Sequence, residues 1–169
     1  GGEKHKEFVH GTELEKITKK LNKSEIVPGF IYKNKRNSAW WYAGDYIDHE
    51  NKLISSFISF SFYSKKLYVY GDWGAAPKTL YIKEEITPEL KKQMLKEMLI
   101  RIDNDITSFT NQILSLTSQL TSQSTSQLTY TSNQSSYFGY SLKNTEENIK
   151  YYQNVLNKNT VLKKFIESL

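Results

Sequence analysis

"KLISSFISFSFYSKKLYVYGD", residues 52–72, decides the fold. Two runs of alternating side chains flank Ser64, Lys65 and Lys66, and side chains two apart in a strand share a face. Ile54, Ile58, Phe60 and Phe62 fall on one side, with Ser55, Phe57, Ser59 and Ser61 on the other. In the second run Leu67 and Val69 oppose Tyr68, Tyr70 and Asp72. The pattern predicts two strands joined by a tight turn, with one aliphatic and phenyl face and one tyrosine and serine face.

Outward from this pair the same rhythm holds. Runs 30–33, 39–47, 53–63, 66–72 and 79–83 alternate with turn material, "NKRN", "DHENK", "SKK" and "WGAAPK". Leu80 and Ile82 oppose Thr79, Tyr81 and Lys83, while "AWWYAGDYI" carries rings on both sides. Short loops between consecutive strands imply antiparallel neighbours, so the segment reads as a five-stranded meander. Ahead of it, "TELEKITKKLNK" (12–23) has a capping-box start and an apolar stripe, and predicts a short helix ended by Pro28-Gly29. Residues 1–10 read as a loose N-terminus.

Behind it, Thr87-Pro88-Glu89 is a helix start: an N-cap, proline at the first helical position, then an acid favoured by the helix dipole. Leu95, Leu99, Ile102, Ile106, Phe109, Ile113, Leu116 and Leu120 follow at spacings of four and three. Met94, Met98 and Leu114 widen the stripe, which favours a core helix lying across the sheet over a coiled-coil seam. The second half of this helix enters an unusual tract. From Ile106 to Leu142, 37 consecutive positions carry no charged side chain and no histidine, in a chain that is 24% charged. Within it, 115–136 is a low-complexity Ser/Thr/Gln segment. Alternation at Leu128 and Tyr130, then at Phe138, Tyr140 and Leu142, predicts a hairpin over 126–142. Helices are expected at 144–156 and from Thr160, where Val161, Leu162, Phe165, Ile166 and Leu169 pack inward.

The whole, 1–169, reads as a single α+β domain. It has an antiparallel five-stranded meander with a long helix packed on one face, a further hairpin and C-terminal helices. Its length suffices for a real core, and aromatics at 14% make rings a large part of that core.

Several chemistries find no anchor. The chain has no cysteine, which excludes disulfides and thiolate metal sites. Asp45, Asp48, His49 and Glu50 form the densest ionisable cluster, but they fall in a predicted hairpin loop and read as a polar turn. His5 and His10 have no second ligand at helical spacing, and neither "HExxH" nor "GxSxG" occurs. No catalytic residue, metal site or cofactor is expected, and the chain reads as a non-enzyme.

The tyrosine and serine face is the candidate site. Phe57, Tyr68, Tyr70 and Tyr81 would present rigid amphipathic rings of the kind enriched in interfaces to a protein partner. Nucleic acid is less favoured. The net charge of +5 is almost all lysine, and residues 37–86 hold five basic against six acidic side chains. A structural or adhesive role for the uncharged tract is the remaining alternative.

The aromatic strands of 30–83, the long helix from Thr87 and the small size resemble streptococcal TipC-type immunity proteins. The resemblance implies an exported, membrane-anchored chain that neutralises a secreted toxin by binding it. Lys, Asn and Ile usage with only two arginines fits a low-GC Gram-positive source. The opening "GGEKHKEF" lacks a methionine, which leaves room for a signal or anchor ahead of it, and the location expected is extracytoplasmic. Membrane attachment would come only through such an anchor.

Overall fold

The computed structural model describes residues 19–127 and 132–169. The loose stretch 1–10 and most of the helix predicted over 12–23 lie outside the described residues. At the described end of that segment the chain forms only one 3-10 turn, Lys23–Glu25. The chain divides into two compact units, one running to Met98 and including Leu169, the other Leu99–Ser168.

The first unit is built on an antiparallel sheet. Strands β1 (Phe30–Lys33), β2 (Ala39–Ile47), β3 (Leu53–Tyr63) and β4 (Lys66–Asp72) stand where alternation predicts them. Their turns are set by local chemistry. Asn34 Oδ1 accepts from the N–H groups of Arg36 and Ser38, each at 3.0 Å. Asp48 Oδ1 accepts from those of Glu50 at 2.8 Å and Lys52 at 2.9 Å. Ser64 and Lys65 both take positive φ, at 50° and 65°, as the tightest hairpin turns require.

The fifth strand departs from the meander. β5 (Ile82–Glu85) pairs with β1, giving the order β4-β3-β2-β1-β5. Residues 73–81 are therefore a crossover and not a hairpin loop. The crossover is anchored by Leu80, fully buried, whose carbonyl accepts from Leu21 N–H at 2.8 Å. Tyr81 N–H then donates to the Lys33 carbonyl at 2.9 Å and starts the pairing. Burying Leu80 against Tyr32, Trp40, Tyr42 and Phe57 outweighs the short route back beside β4.

Both faces are covered at the centre. On one, Ile31, Trp41, Ile58 and Phe60 are buried, and Leu90 shares a cleft with Ile31, Ala39, Phe60 and Phe62. On the other, Tyr32, Trp40, Tyr42, Phe57 and Leu80 form a buried cluster, with Leu21, Ile26 and Phe30 packed on it.

Helix α1 (Pro88–Gln127, 40 residues) starts at the predicted residue, with Thr87 Oγ1 accepting from Leu90 N–H at 3.2 Å. Its first turns belong to the sheet unit, where Met94 and Met98 are buried. At about 1.5 Å per residue α1 is roughly 60 Å long, beyond the ~37 Å span of the longest strand. Most of the stripe therefore needs another partner.

Helix α2 (Ser132–Glu167, 36 residues) supplies it. The hairpin predicted over 126–142 and the two separate C-terminal helices are one continuous helix from Ser132; residues 128–131 lie outside the described residues. Within the second unit α2 runs antiparallel to α1. Asp103 pairs with Lys163 at 2.7 Å, the rings of Phe109 and Tyr152 lie 5.9 Å apart, and Gln123 reaches Ser141. From Ile106 to Leu120 the stripe is half-buried, as two helices alone leave it. Thr160, expected to open a separate last helix, and Asn159 before it donate to the carbonyls of Leu156 and Val155, each at 2.9 Å, and sit inside the helix. Among the described residues no helix is long and apolar enough to cross a membrane.

The register of this hairpin is fixed by a polar clasp. Gln123 Nε2 donates to Ser141 Oγ at 2.7 Å, and Thr145 Oγ1, 3% exposed, donates to Gln123 Oε1 at 3.0 Å. Thr145→Val keeps the shape and leaves Gln123 Oε1 without its donor. The substitution is expected to destabilise the helical unit by about 1–3 kcal/mol, read as a lower urea midpoint with an unchanged slope; an unaltered midpoint would show the clasp to be dispensable.

Candidate functional site

The aromatic site expected from parity is only partly assembled. Tyr68 and Tyr70 stand exposed on β4, at 39% and 56%. Phe57 does not join them: at 1% exposure it is a core residue, stacked on Tyr42 with ring centroids 4.3 Å apart. The segment that brings Leu21 and Ile26 over the sheet covers it. Tyr81 is half-buried beside β1, with Lys35 Nζ 5.2 Å from its ring. With β5 at the opposite edge, four strand spacings of about 4.8 Å put Tyr81 roughly 19 Å from β4. A meander would have made them neighbours; the crossover separates them.

Two rings that parity did not select take their place. Tyr63, 73% exposed, ends β3 on the same face as Tyr68, because Tyr63 and Ser61 pair with Lys66 and Tyr68. Trp73, 58% exposed, packs edge-on against buried Trp40 at 4.9 Å. Its position comes from a β-bulge: Ser59 pairs with Gly71 but Phe60 with Val69, so Tyr70 is an extra residue. Gly71 takes φ of 140°, a conformation that side-chain-bearing residues rarely adopt. The bulge inverts parity beyond it, turning Trp73 toward the tyrosine face and Asp72 away from it. Gly71 inside a strand pattern was the available signal.

The tyrosine face at β3–β4 thus carries Tyr63, Tyr68, Tyr70 and Trp73 above small residues. The Tyr70 hydroxyl bonds Ser61 Oγ at 2.6 Å, and Lys66 Nζ lies 5.4 Å from the Tyr68 ring. The indole nitrogens of Trp40, on this face, and of Trp41, on the opposite one, are buried without a hydrogen-bond partner, so packing alone holds those rings. A second bulge, at Tyr42/Gly44, sets Tyr42 and Asp45 together. The Tyr42 hydroxyl donates to Asp45 Oδ1 at 2.5 Å, and burial, reinforced by that carboxylate, pushes the phenol up to about 12.

Asp72, moved to the aliphatic face by the bulge, is half-buried there. Its oxygens accept from Ser56 Oγ at 2.9 Å and Gly74 N–H at 2.8 Å. Burial raises its pKa despite these bonds. Asp48, His49 and Glu50 form the polar turn expected of them, while Asp45, expected in the same loop, belongs to β2. Asp48 is held below the usual range by backbone N–H donors, and Glu50 lies 3.4 Å from His49 and 3.3 Å from Lys52. Among the described residues no group of three His, Cys, Asp or Glu could hold a metal ion.

No protein-family model, curated protein or solved structure matches this chain.

Because the folded state raises the pKa of Asp72, it favours the protonated acid. That contribution is complete below the ordinary carboxylate value and is lost as pH rises through the raised one. Wild-type stability relative to Asp72→Asn is therefore expected to fall as pH rises from the ordinary carboxylate value of about 4 through the neutral range. Paired thermal melts across that range check the sign; a difference that grows with pH would contradict it.

Proposed function

We propose that this chain is a non-catalytic protein-binding module whose partner docks on the aromatic end of the β3–β4 hairpin. One observation carries the reading: Tyr63, Tyr68, Tyr70 and Trp73 stand exposed beside a core that already holds seven other aromatic rings, Tyr32, Trp40, Trp41, Tyr42, Phe57 and Phe60 among the buried ones and Phe30 packed on them. Exposed rings contribute little to folding, whereas Tyr and Trp dominate interface energetics once desolvated by a partner. Their anchorage favours preorganisation, since Tyr70 is tied to Ser61 and Trp73 rests on Trp40.

The resemblance to immunity proteins makes a secreted toxin the partner class to test first, and an extracytoplasmic, membrane-anchored location is part of the same proposal. Lys66 over Tyr68 keeps a nucleic-acid reading in the same experiment, because phosphate binding weakens steeply with salt while aromatic docking does not.

Tyr68→Ala combined with Tyr70→Ala is expected to weaken partner binding at least tenfold, about 1.4 kcal/mol, and to leave the melting temperature nearly unchanged. Phe57→Ala should instead cost about 3–5 kcal/mol of stability. Calorimetric titration at two salt concentrations, with thermal melts of each variant, reads all of these. Unchanged affinity in the double variant would remove the patch from the interface, and a steep salt dependence would replace the protein partner by nucleic acid.

A further inference from the structure

Strand β4 closes one edge of the sheet and β5 the other, and the two edges are built differently. β5 is four residues long and carries Lys83, Glu84 and Glu85. Short length and charge are ordinary means of keeping other chains off a sheet edge. β4 has seven residues, and between Lys66 and Asp72 it runs Leu67, Tyr68, Val69, Tyr70, Gly71 without a charge. Among the described residues its only strand neighbour is β3.

Ladder parity identifies the main-chain groups this leaves open. Ser55 N–H donates to the Gly74 carbonyl at 3.1 Å, and the Phe57 carbonyl accepts from Trp73 N–H at 2.9 Å. Odd-numbered residues of β3 therefore bond toward β4, so Ser61 bonds Tyr68 and Tyr63 bonds Lys66. Leu67 and Val69, which face Phe62 and Phe60, turn their N–H and C=O groups the other way, to the open edge. The bulge at Tyr70 breaks this spacing and confines the regular edge to residues 66–69. Donors and acceptors in this alternation fit another extended strand. A helix spends its own main-chain groups internally, and nucleic acid has no amide ladder to offer.

Charge then separates the candidate strands. Lys65 and Lys66 stand exposed at the turn end of the edge. A second copy adding its own β4, Leu67 against Val69, sets Tyr70 opposite Lys66 and supplies no acid there. Its Asp72 is already bonded to Ser56 and Gly74, and it brings a further net charge of +5. A strand of another protein that carries an acid meets the lysines with opposite charge.

We infer that β4 takes an extended segment of a partner protein, bearing an acidic residue, as a sixth strand of the sheet. The inference rests on the docking surface proposed at β3–β4 and specifies how it is used. Addition is antiparallel, like every pairing already in the sheet and the more stable of the two directions. Leu67 and Val69 exchange main-chain hydrogen bonds with two alternate residues of the segment. The residue between those two is apolar or aromatic and faces Tyr68 in a non-hydrogen-bonded pair, where Cα atoms approach to about 4.5 Å. Two positions later an Asp or Glu faces Lys66, whose Nζ lies 5.4 Å from the Tyr68 ring.

A phage-displayed library of random twelve-residue peptides, selected on the full chain, tests it, with the best binder synthesised for calorimetric titration. Selected peptides are expected to carry an Asp or Glu two positions after an apolar or aromatic residue. N-methylation of the residues flanking that ring should weaken binding by about tenfold or more, and methylation of the ring-bearing residue by no more than about twofold. On the protein, Val69→Pro removes a donor that β3 does not use, where an edge strand tolerates proline, and should cost about tenfold. The methylated peptides leave the protein untouched, so they decide the matter even if that variant fails to fold. A library that yields no binder, or a binder that tolerates both flanking methyl groups, overturns the inference. So does a wild-type chain that sediments as a dimer and becomes monomeric in Val69→Pro, since the occupant is then a second copy. A peptide that needs its flanking N–H groups yet binds Tyr68→Ala with Tyr70→Ala at full strength keeps the added strand and removes the rings from the site. A peptide weakened only by that double variant keeps the aromatic docking surface and overturns the strand.

Discussion

The sheet unit depends on one buried hydroxyl. Tyr32 Oη accepts from Val27 N–H at 2.6 Å and lies 2.8 Å and 3.2 Å from the carbonyls of Val27 and Glu25, to which its proton donates. These contacts hold the segment before β1 down on the sheet, where Leu21 and Ile26 pack over Tyr32, Trp40, Tyr42 and Phe57. Burial and the bonded hydroxyl work together: the ring supplies apolar area, and its one polar atom is satisfied by backbone that would otherwise be stranded. Once this face is closed, the rings near its centre are core and only those toward β4 remain for recognition. The pairing of β5 with β1 follows from the same closure, since Leu80 belongs to the buried cluster and draws the crossover across that same face of the sheet.

The strands were legible in the sequence because period-two alternation and turn chemistry agree at every boundary from Phe30 to Asp72. Strand order was not, because a local pattern cannot report that Leu80 is buried far from β4. The site was read halfway for a related reason. Tyr68 and Tyr70 follow from parity on β4 alone. Phe57 depends on a covering segment distant in sequence and Tyr81 on strand order, while Tyr63 shares the parity of Ser59 and Ser61 and was open to the same reading. Trp73 depends on a bulge, and a single extra residue such as Tyr70 exchanges the faces of everything beyond it.

The helical unit teaches the complementary lesson. The apolar stripe of α1 ends at Leu120 because Gln123 takes the next position, and the stripe of α2 looks broken because Thr145 stands between Leu142 and Ile149. Read one helix at a time, each polar residue interrupts an apolar seam. Together they bond to one another in the seam, which continues through them. Residues 138–142 alternate as a strand would and are helical, because pairing with α1 overrides a short local period. The uncharged tract is thus helical over its described length, with the hydroxyls of Thr110, Thr117 and Thr121 bonded to backbone and Gln123 bonded to Ser141.

The central claim is that the aromatic rings of the sheet unit fall into two populations, one closed under the Tyr32 segment and one open at β3–β4. Hydroxyl-radical footprinting resolved at individual residues tests it most directly. Tyr63, Tyr70 and Trp73 should oxidise rapidly, while Tyr32, Trp41 and Tyr42 stay protected until the sheet unfolds. Labelling of Tyr32 or Tyr42 at the rate of Tyr70 in the native chain would show that the face is uncovered, and the division between core and recognition surface would be wrong.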